Sequence, residues 1–226
     1  MIKTNGIHHI AIMAADMREH IDFFSDVLGA RLVALFDMHG VPGGIHAFLH
    51  LSDDCYFSLV SLPEVDQIER EIGITHAGTG AGKSAPGTMQ HLAFKVSTPD
   101  DLLAMRDRIR SKGVIVMGPI DHGLCQSIYF AGPDGLALEI ASGDQVIDAA
   151  HWIDPSVVAK CGISQDELQR FVQPDAYAGE GGAVRQPAYD PSKPHMPYPE
   201  ADYQQLIALP DAIVTQTASW PDPPVK

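Results

Sequence analysis

The stretch GIHHIAIMAADMREHIDFFSDVLGARLVALF, residues 6–36, returns in the same order as MQHLAFKVSTPDDLLAMRDRIRSKGVIVMGP, residues 89–119. Each copy reads as an alternating strand, a capped helix, a glycine stop and a second strand. Asp16 is placed to cap the first helix, with Glu19 at its third position and Met17, Ile21, Phe24 and Leu28 as its apolar stripe before Gly29. Thr98 stands at the same place in the second copy, followed by Pro99, the stripe Leu102, Met105 and Ile109, and Gly113. His9 to His91 and Asp16 to Thr98 are both 82 residues apart. Two further strands follow in each unit: IHAFLHL (45–51) and CYFSLVSL (55–62), then CQSIYFA (125–131) and LALEIAS (136–142), the latter pair joined by Gly132-Pro133-Asp134-Gly135. Each unit is therefore β-α-β-β-β. The predicted class is α+β, with a first module at 1–64, a connector at 65–88 and a second module at 89–145.

Strand alternation sorts the side chains onto faces. Ile10 and Ile12 point to the helix in the first strand, which leaves His9, Ala11 and Met13 on the opposite face. Leu92, Phe94 and Val96 do the same in the second module, leaving His91, Ala93 and Lys95. In LALEIAS the core residues are Leu136, Leu138 and Ile140, so Glu139 faces away between Ala137 and Ala141. Two histidines and one carboxylate thus share the non-helix faces, each beside small alanines that leave room for a cavity. The matched positions in a repeat favour metal ligation over isolated structural histidines. Parity turns His8 toward the helix side, which suits packing or support of a ligand. His46, Phe48 and His50 share one face, either lining a cavity or lying on a wet sheet edge.

The bulk composition narrows the function. A formal charge of -14 over 226 residues argues against nucleic acid and anionic membrane surfaces as partners. The N-terminus lacks a signal-peptide layout and no apolar run is long enough to span a bilayer, so a cytoplasmic location is expected. Cys55, Cys125 and Cys161 are widely spaced and read as ordinary thiols. The segment HAGTGAGKSAPGT, residues 76–88, contains a relaxed phosphate-loop pattern. A phosphate loop needs a strand before it and a helix after it, whereas here a polar stretch precedes and Pro86-Gly87 follows, so a flexible glycine-rich linker is the expectation. Of the 17 prolines, 11 lie beyond residue 150, and residues 146–226 read as an extended arm. Its aromatics and two short helix signals, Asp154-Pro155 and Ser164 with Glu167, suggest an arm packed over the core or over a neighbouring subunit.

Tandem modules carrying HHIAI, QHLAF and DGLALEI resemble the vicinal oxygen chelate superfamily, which includes glyoxalases, epimerases, resistance proteins and extradiol dioxygenases. The resemblance covers about residues 5 to 145. It implies two half-barrels forming an incomplete barrel around a divalent metal, with His9, His91 and Glu139 as ligands. The fourth ligand position of the family falls near Ser58, a poor ligand, and two His with one carboxylate suit Fe(II) oxygen chemistry. The segment CQSIYFAGPDGLALEIAS is similar to extradiol ring-cleavage dioxygenases, including the hydroquinone-cleaving group, in which a Tyr ten residues before the Glu ligand hydrogen-bonds near the metal. That position is Tyr129. Some of these relatives carry a His immediately before the second-module ligand, where Gln90 stands here; His122 and His8 are the remaining acid-base candidates. The resemblance implies a small-molecule substrate, O2 as co-substrate, a homo-oligomer such as a dimer, and Fe(II), with Mn(II), Zn(II) or Ni(II) as other metals. The alternatives are a glyoxalase-type isomerase, epimerase or lyase, and a non-catalytic small-molecule binding protein.

Overall fold

The computed structural model describes residues 3–143 and 146–225. The predicted module boundary at 145 falls outside them. The first module runs β1 (His9–Met13), α1 (Met17–Asp26), β2 (Arg31–Asp37), β3 (Ile45–Ser52) and β4 (Cys55–Ser61). The second runs β5 (Leu92–Val96), α2 (Pro99–Ser111), β6 (Val116–Asp121), β7 (Gln126–Ala131) and β8 (Ala137–Ser142). The sheets have equivalent orders, β1-β4-β3-β2 and β5-β8-β7-β6, with β1 parallel to β4, β5 parallel to β8, and the other pairs antiparallel. These are the two βαβββ modules expected. The sheets do not close into a barrel, and β1 and β5 are both edge strands.

Local chemistry sets the helix limits. The Asp16 carboxylate accepts from the Glu19 backbone N–H at 3.0 Å. Thr98 and Asp101 cap one another reciprocally, and Pro99 opens α2 at the position where its missing N–H has no cost. Gly29 and Gly113, each at φ +79, end the two helical segments in the left-handed conformation that glycine adopts without strain.

One apolar core runs through both modules. Phe24 of α1 packs on Phe57 of β4 with ring centroids 4.4 Å apart, and Phe94 of β5 meets Phe57 at 5.6 Å and Phe24 at 6.3 Å. The second module also holds both ends of α1. Arg108 donates to the carbonyls of Asp26 (2.8 Å) and Val27 (2.9 Å), and Lys112 forms an ion pair with Asp26. At the other end, one oxygen of Asp134, in the turn between β7 and β8, accepts from the Ala15 N–H at 2.9 Å. That oxygen lies 3.2 Å from Nε2 of the fully buried His20, and the other lies 3.1 Å from Arg70.

The region beyond residue 146 divides. Three short helices, α3 (Ala149–Trp152), α4 (Pro155–Lys160) and α5 (Gln165–Val172), belong to one compact unit with the modules, residues 6–172. Asp154 caps α4, accepting from the Ser156 N–H at 2.7 Å, and Ser164 pairs with Glu167 at the start of α5, as their spacing predicts. Trp152 packs so close to Gly123 that a Cβ there would lie 2.8 Å from the indole ring. The remaining C-terminal residues, together with residues 3–5, form a second unit with α6 (Glu200–Ile207) and α7 (Asp211–Ala218), in which Tyr189, His195, Tyr198 and Tyr203 cluster.

Candidate metal centre

Glu139 is built into the middle of its sheet. On β8 it lies opposite Ala93 of β5 and opposite Tyr129 of β7, on the face away from α2. Only 5% of it is exposed. A buried carboxylate is costly unless a cation or donors face it, and the group that faces it is His91, with Nε2 to Oε2 at 2.9 Å. The Tyr129 hydroxyl has its pKa pushed up, first by burial and then by the Glu139 charge, and so stays a proton donor. It also lies 3.0 Å from His122 Nε2. His122, Tyr129, Glu139 and His91 therefore form one continuous polar row.

The second nitrogen of His91 is also engaged. Its Nδ1 meets the side-chain oxygen of Gln90, whose amide nitrogen donates to the carbonyls of Thr79 (3.1 Å) and Gly82 (2.9 Å). Two carbonyls at the nitrogen end fix the amide orientation, so an acceptor faces His91 and Nδ1 donates to it. The glycine-rich segment thus lies against this centre. It has no helix after it, as expected, but it is pinned: the Ala85 N–H donates to the Ile74 carbonyl at 2.8 Å, and Thr88 Oγ1 to the Ala85 carbonyl at 2.8 Å.

The first module carries a different set. Ala11 of β1 pairs with Ser58 of β4 as Ala93 pairs with Glu139, so Ser58 is the counterpart of the carboxylate. Ser58 is fully buried and lies 2.6 Å from His46 Nε2. The pKa of His46 is lowered, first by burial and then by the charges of His9 and His39. His46, Phe48 and His50 share the non-helix face with Phe36 and Tyr56 in an aromatic patch; the His46 and Phe48 rings are 4.5 Å apart. His9 packs on Phe48 at 5.4 Å, and its Nδ1 lies 2.9 Å from Nδ1 of His8. His8 does not point to the helix side as parity predicts. It precedes β1, where strand alternation does not apply, and its ring lies 5.5 Å from Tyr56 on the opposite face.

The predicted ligands are thus divided. His91 and Glu139 meet, His9 does not join them, and among the described residues no group of three His, Cys, Asp or Glu side chains is drawn together. Glu139 and His91 Nε2 fit a divalent ion by donor type and burial, and the third donor is absent from their side of the chain. Sequence reasoning treated Gln90 only as a missing acid-base group. The 82-residue offset aligns it with His8, a signal that both pre-ligand positions act on the ligand behind them. The His46–Ser58 and His20–Asp134 contacts were also missed, because each joins elements whose approach only the folded chain defines.

The family model described as the glyoxalase/bleomycin resistance protein/dioxygenase superfamily matches residues 6–140. Among curated proteins, the chain is 25% identical over 142 residues to a biphenyl-2,3-diol 1,2-dioxygenase 2 of Rhodococcus globerulus, covering 62% of this chain and 64% of that protein. It is 34% identical over 65 residues to a biphenyl-2,3-diol 1,2-dioxygenase 3 of the same organism, covering 28% and 34%. The matches therefore span less than two thirds of either relative. Among solved structures, a glyoxylase/bleomycin resistance protein/dioxygenase domain from Frankia sp. EAN1pec aligns with a TM-score of 0.48 and 15% identity, over 62% of this chain and 99% of that one.

Proposed function

Because the chain belongs to the glyoxalase/bleomycin resistance protein/dioxygenase superfamily, we propose that it is a metal-dependent dioxygenase that opens a catechol- or hydroquinone-like ring, with His91 and Glu139 of one copy and His9 of a second copy as metal ligands. The observation that carries this reading is the buried Glu139–His91 pair in line with Tyr129 and His122. A bound Fe(II) would supply O2 chemistry and a docking point for substrate oxygens, and Mn(II) suits the same donors. The protein's own groups do the rest. The Tyr129 hydroxyl, held protonated, donates to a substrate oxygen beside the ligand pair. His122 is exposed and bonded to that hydroxyl, so it passes protons between Tyr129 and solvent. His8 holds His9 through Nδ1. The names of the two curated relatives, both dioxygenases of an aromatic diol, support an aromatic diol as substrate.

The second copy enters for a packing reason. Bringing His9 to His91 within one chain would break the shared Phe24, Phe57 and Phe94 core and release α1 from Arg108 and Asp134. A second copy demands neither. His9 is exposed on the open face of its sheet, beside Phe48 and a Met13 that is 46% exposed, a surface suited to being covered.

The test has two arms. Protein purified without oxygen is analysed for metal by mass spectrometry and screened for O2 uptake with catechols and hydroquinones. Iron with substrate-dependent uptake is expected, whereas zinc or nickel with no uptake would place the protein among the isomerases. In the second arm, His9→Ala and Glu139→Ala proteins, each without metal sites, are mixed; random re-pairing restores one good site in half of the dimers, about a quarter of the wild-type total. No recovery would remove the shared site.

A further inference from the structure

We propose that Gln90 is a positioning residue for the metal centre and that the glycine-rich segment preceding it exists to hold Gln90. The inference rests on the reading of His91 as a ligand. Gln90 has chemically distinct ends. Its two N–H groups are taken by the carbonyls of Thr79 and Gly82, which leaves only the oxygen for His91 Nδ1. That oxygen accepts and never donates, so Nδ1 keeps its proton and Nε2, the nitrogen that meets Glu139, is the one left to bind a metal. A ligand imidazole free to exchange tautomers presents that lone pair only part of the time. In the first module the equivalent neighbour is His8, whose Nδ1 donates or accepts according to its own proton, so the second module is the one with a fixed tautomer.

The glycines of the phosphate-loop pattern follow from this role. A Cβ on Gly82 would lie 2.0 Å from the Ala77 carbonyl oxygen, so no larger residue permits the turn that presents the Gly82 carbonyl to Gln90. A Cβ on Gly80 would lie 3.1 Å from Cε1 of Tyr129, so the loop also closes on the hydroxyl-bearing ring of the same centre. Close packing, on the Ala77 backbone for Gly82 and on the Tyr129 ring for Gly80, therefore accounts for two of the glycines without any phosphate.

The test reads tautomer and affinity separately from turnover. Long-range proton–nitrogen NMR of the histidine rings, in zinc-loaded and metal-free protein, is combined with competitive zinc titration of wild type, Gln90→Leu, Gln90→Glu and His91→Ala. Wild type is expected to show His91 protonated at Nδ1. Gln90→Leu should show mixed tautomers and an affinity about 10–100-fold lower, with an unchanged circular dichroism spectrum. Gln90→Glu is also expected to bind zinc less tightly than wild type, because its second oxygen would face the Thr79 and Gly82 carbonyls with no N–H to offer them. Gly82→Ala, which displaces the carbonyl without touching the centre, should weaken zinc binding in the same direction. A Gln90→Leu protein with wild-type tautomer and affinity overturns the proposal, as does a Gly82→Ala protein that binds zinc as tightly as wild type. Unchanged affinity in His91→Ala would instead overturn the ligand assignment beneath it.

Discussion

Replacing Glu139 with Gln is expected to stabilise the metal-free protein and to remove most of its metal affinity, two effects of opposite sign from one isosteric change. The carboxylate is 5% exposed and is faced by His91 and Tyr129. Desolvating a charge costs several kcal/mol, and one half-buried imidazole returns only part of that, so a neutral amide of the same shape should gain about 1 kcal/mol. His91 is itself about one third exposed, so water still reaches its imidazole once the carboxylate is gone. With metal the order reverses. At a hundredfold excess over its dissociation constant, a metal bound only by the folded state adds about 2.7 kcal/mol. For a chain of this size that corresponds to a rise of roughly 5–10 °C in melting temperature. Thermal unfolding of both proteins, with and without Fe(II) under anaerobic conditions, should show the rise only in wild type. A full metal-dependent rise in Glu139→Gln, or a metal-free variant weakened by more than about 2 kcal/mol, would mean that Glu139 and His91 form a structural ion pair and nothing more.

Other substitutions probe separate parts of the argument. Asp134→Ala removes the acceptor of the Ala15 N–H and the partner of buried His20, and places Ala in a left-handed conformation at φ +53, so urea unfolding should show a loss of about 2–4 kcal/mol with metal affinity unchanged. Truncation after Val172 should leave a cooperative thermal transition and the spectrum of the two modules, because the buried core, among the described residues, is built from side chains of those modules. Lys83→Ala should alter no nucleotide-dependent property, and micromolar ATP binding lost in that variant would refute the reading of the glycine-rich segment. Ser58→Glu, at the counterpart of Glu139, should raise metal affinity while abolishing O2 uptake by filling an open position; retained uptake would show that Ser58 does not face the metal.

The modules were legible because their signals are local. Caps at Asp16 and Thr98, stops at Gly29 and Gly113 and strict alternation each depend on residues a few positions apart, and all were found where expected. The short turn between β7 and β8 sets Tyr129 opposite Glu139. His8 was misplaced because alternation was extended one residue beyond the strand that enforces it. Gln90 was undervalued for a different reason. Its role depends on two backbone carbonyls 8 and 11 residues away, presented by an irregular segment whose path no periodicity describes.

The repeat also explains why two similar halves are chemically unequal. In both modules a small residue on the first strand leaves room opposite the last strand, Ala11 before Ser58 and Ala93 before Glu139. Only the second fills that room with a carboxylate. In the first, the hydroxyl of Ser58 is taken by His46, which burial and the neighbouring His9 and His39 disfavour as a cation. The first module can therefore offer one imidazole and an aromatic wall, and the second an imidazole, a carboxylate and a protonated phenol. Neither half completes a three-ligand set alone. The proposed set stops at three, which would leave coordination positions open for the oxygens of a substrate and for O2. A fourth protein ligand would close one of them. On the proposed reading, Ser58 in place of a carboxylate in the first copy is what would leave room for ring-opening chemistry on a scaffold otherwise built in duplicate.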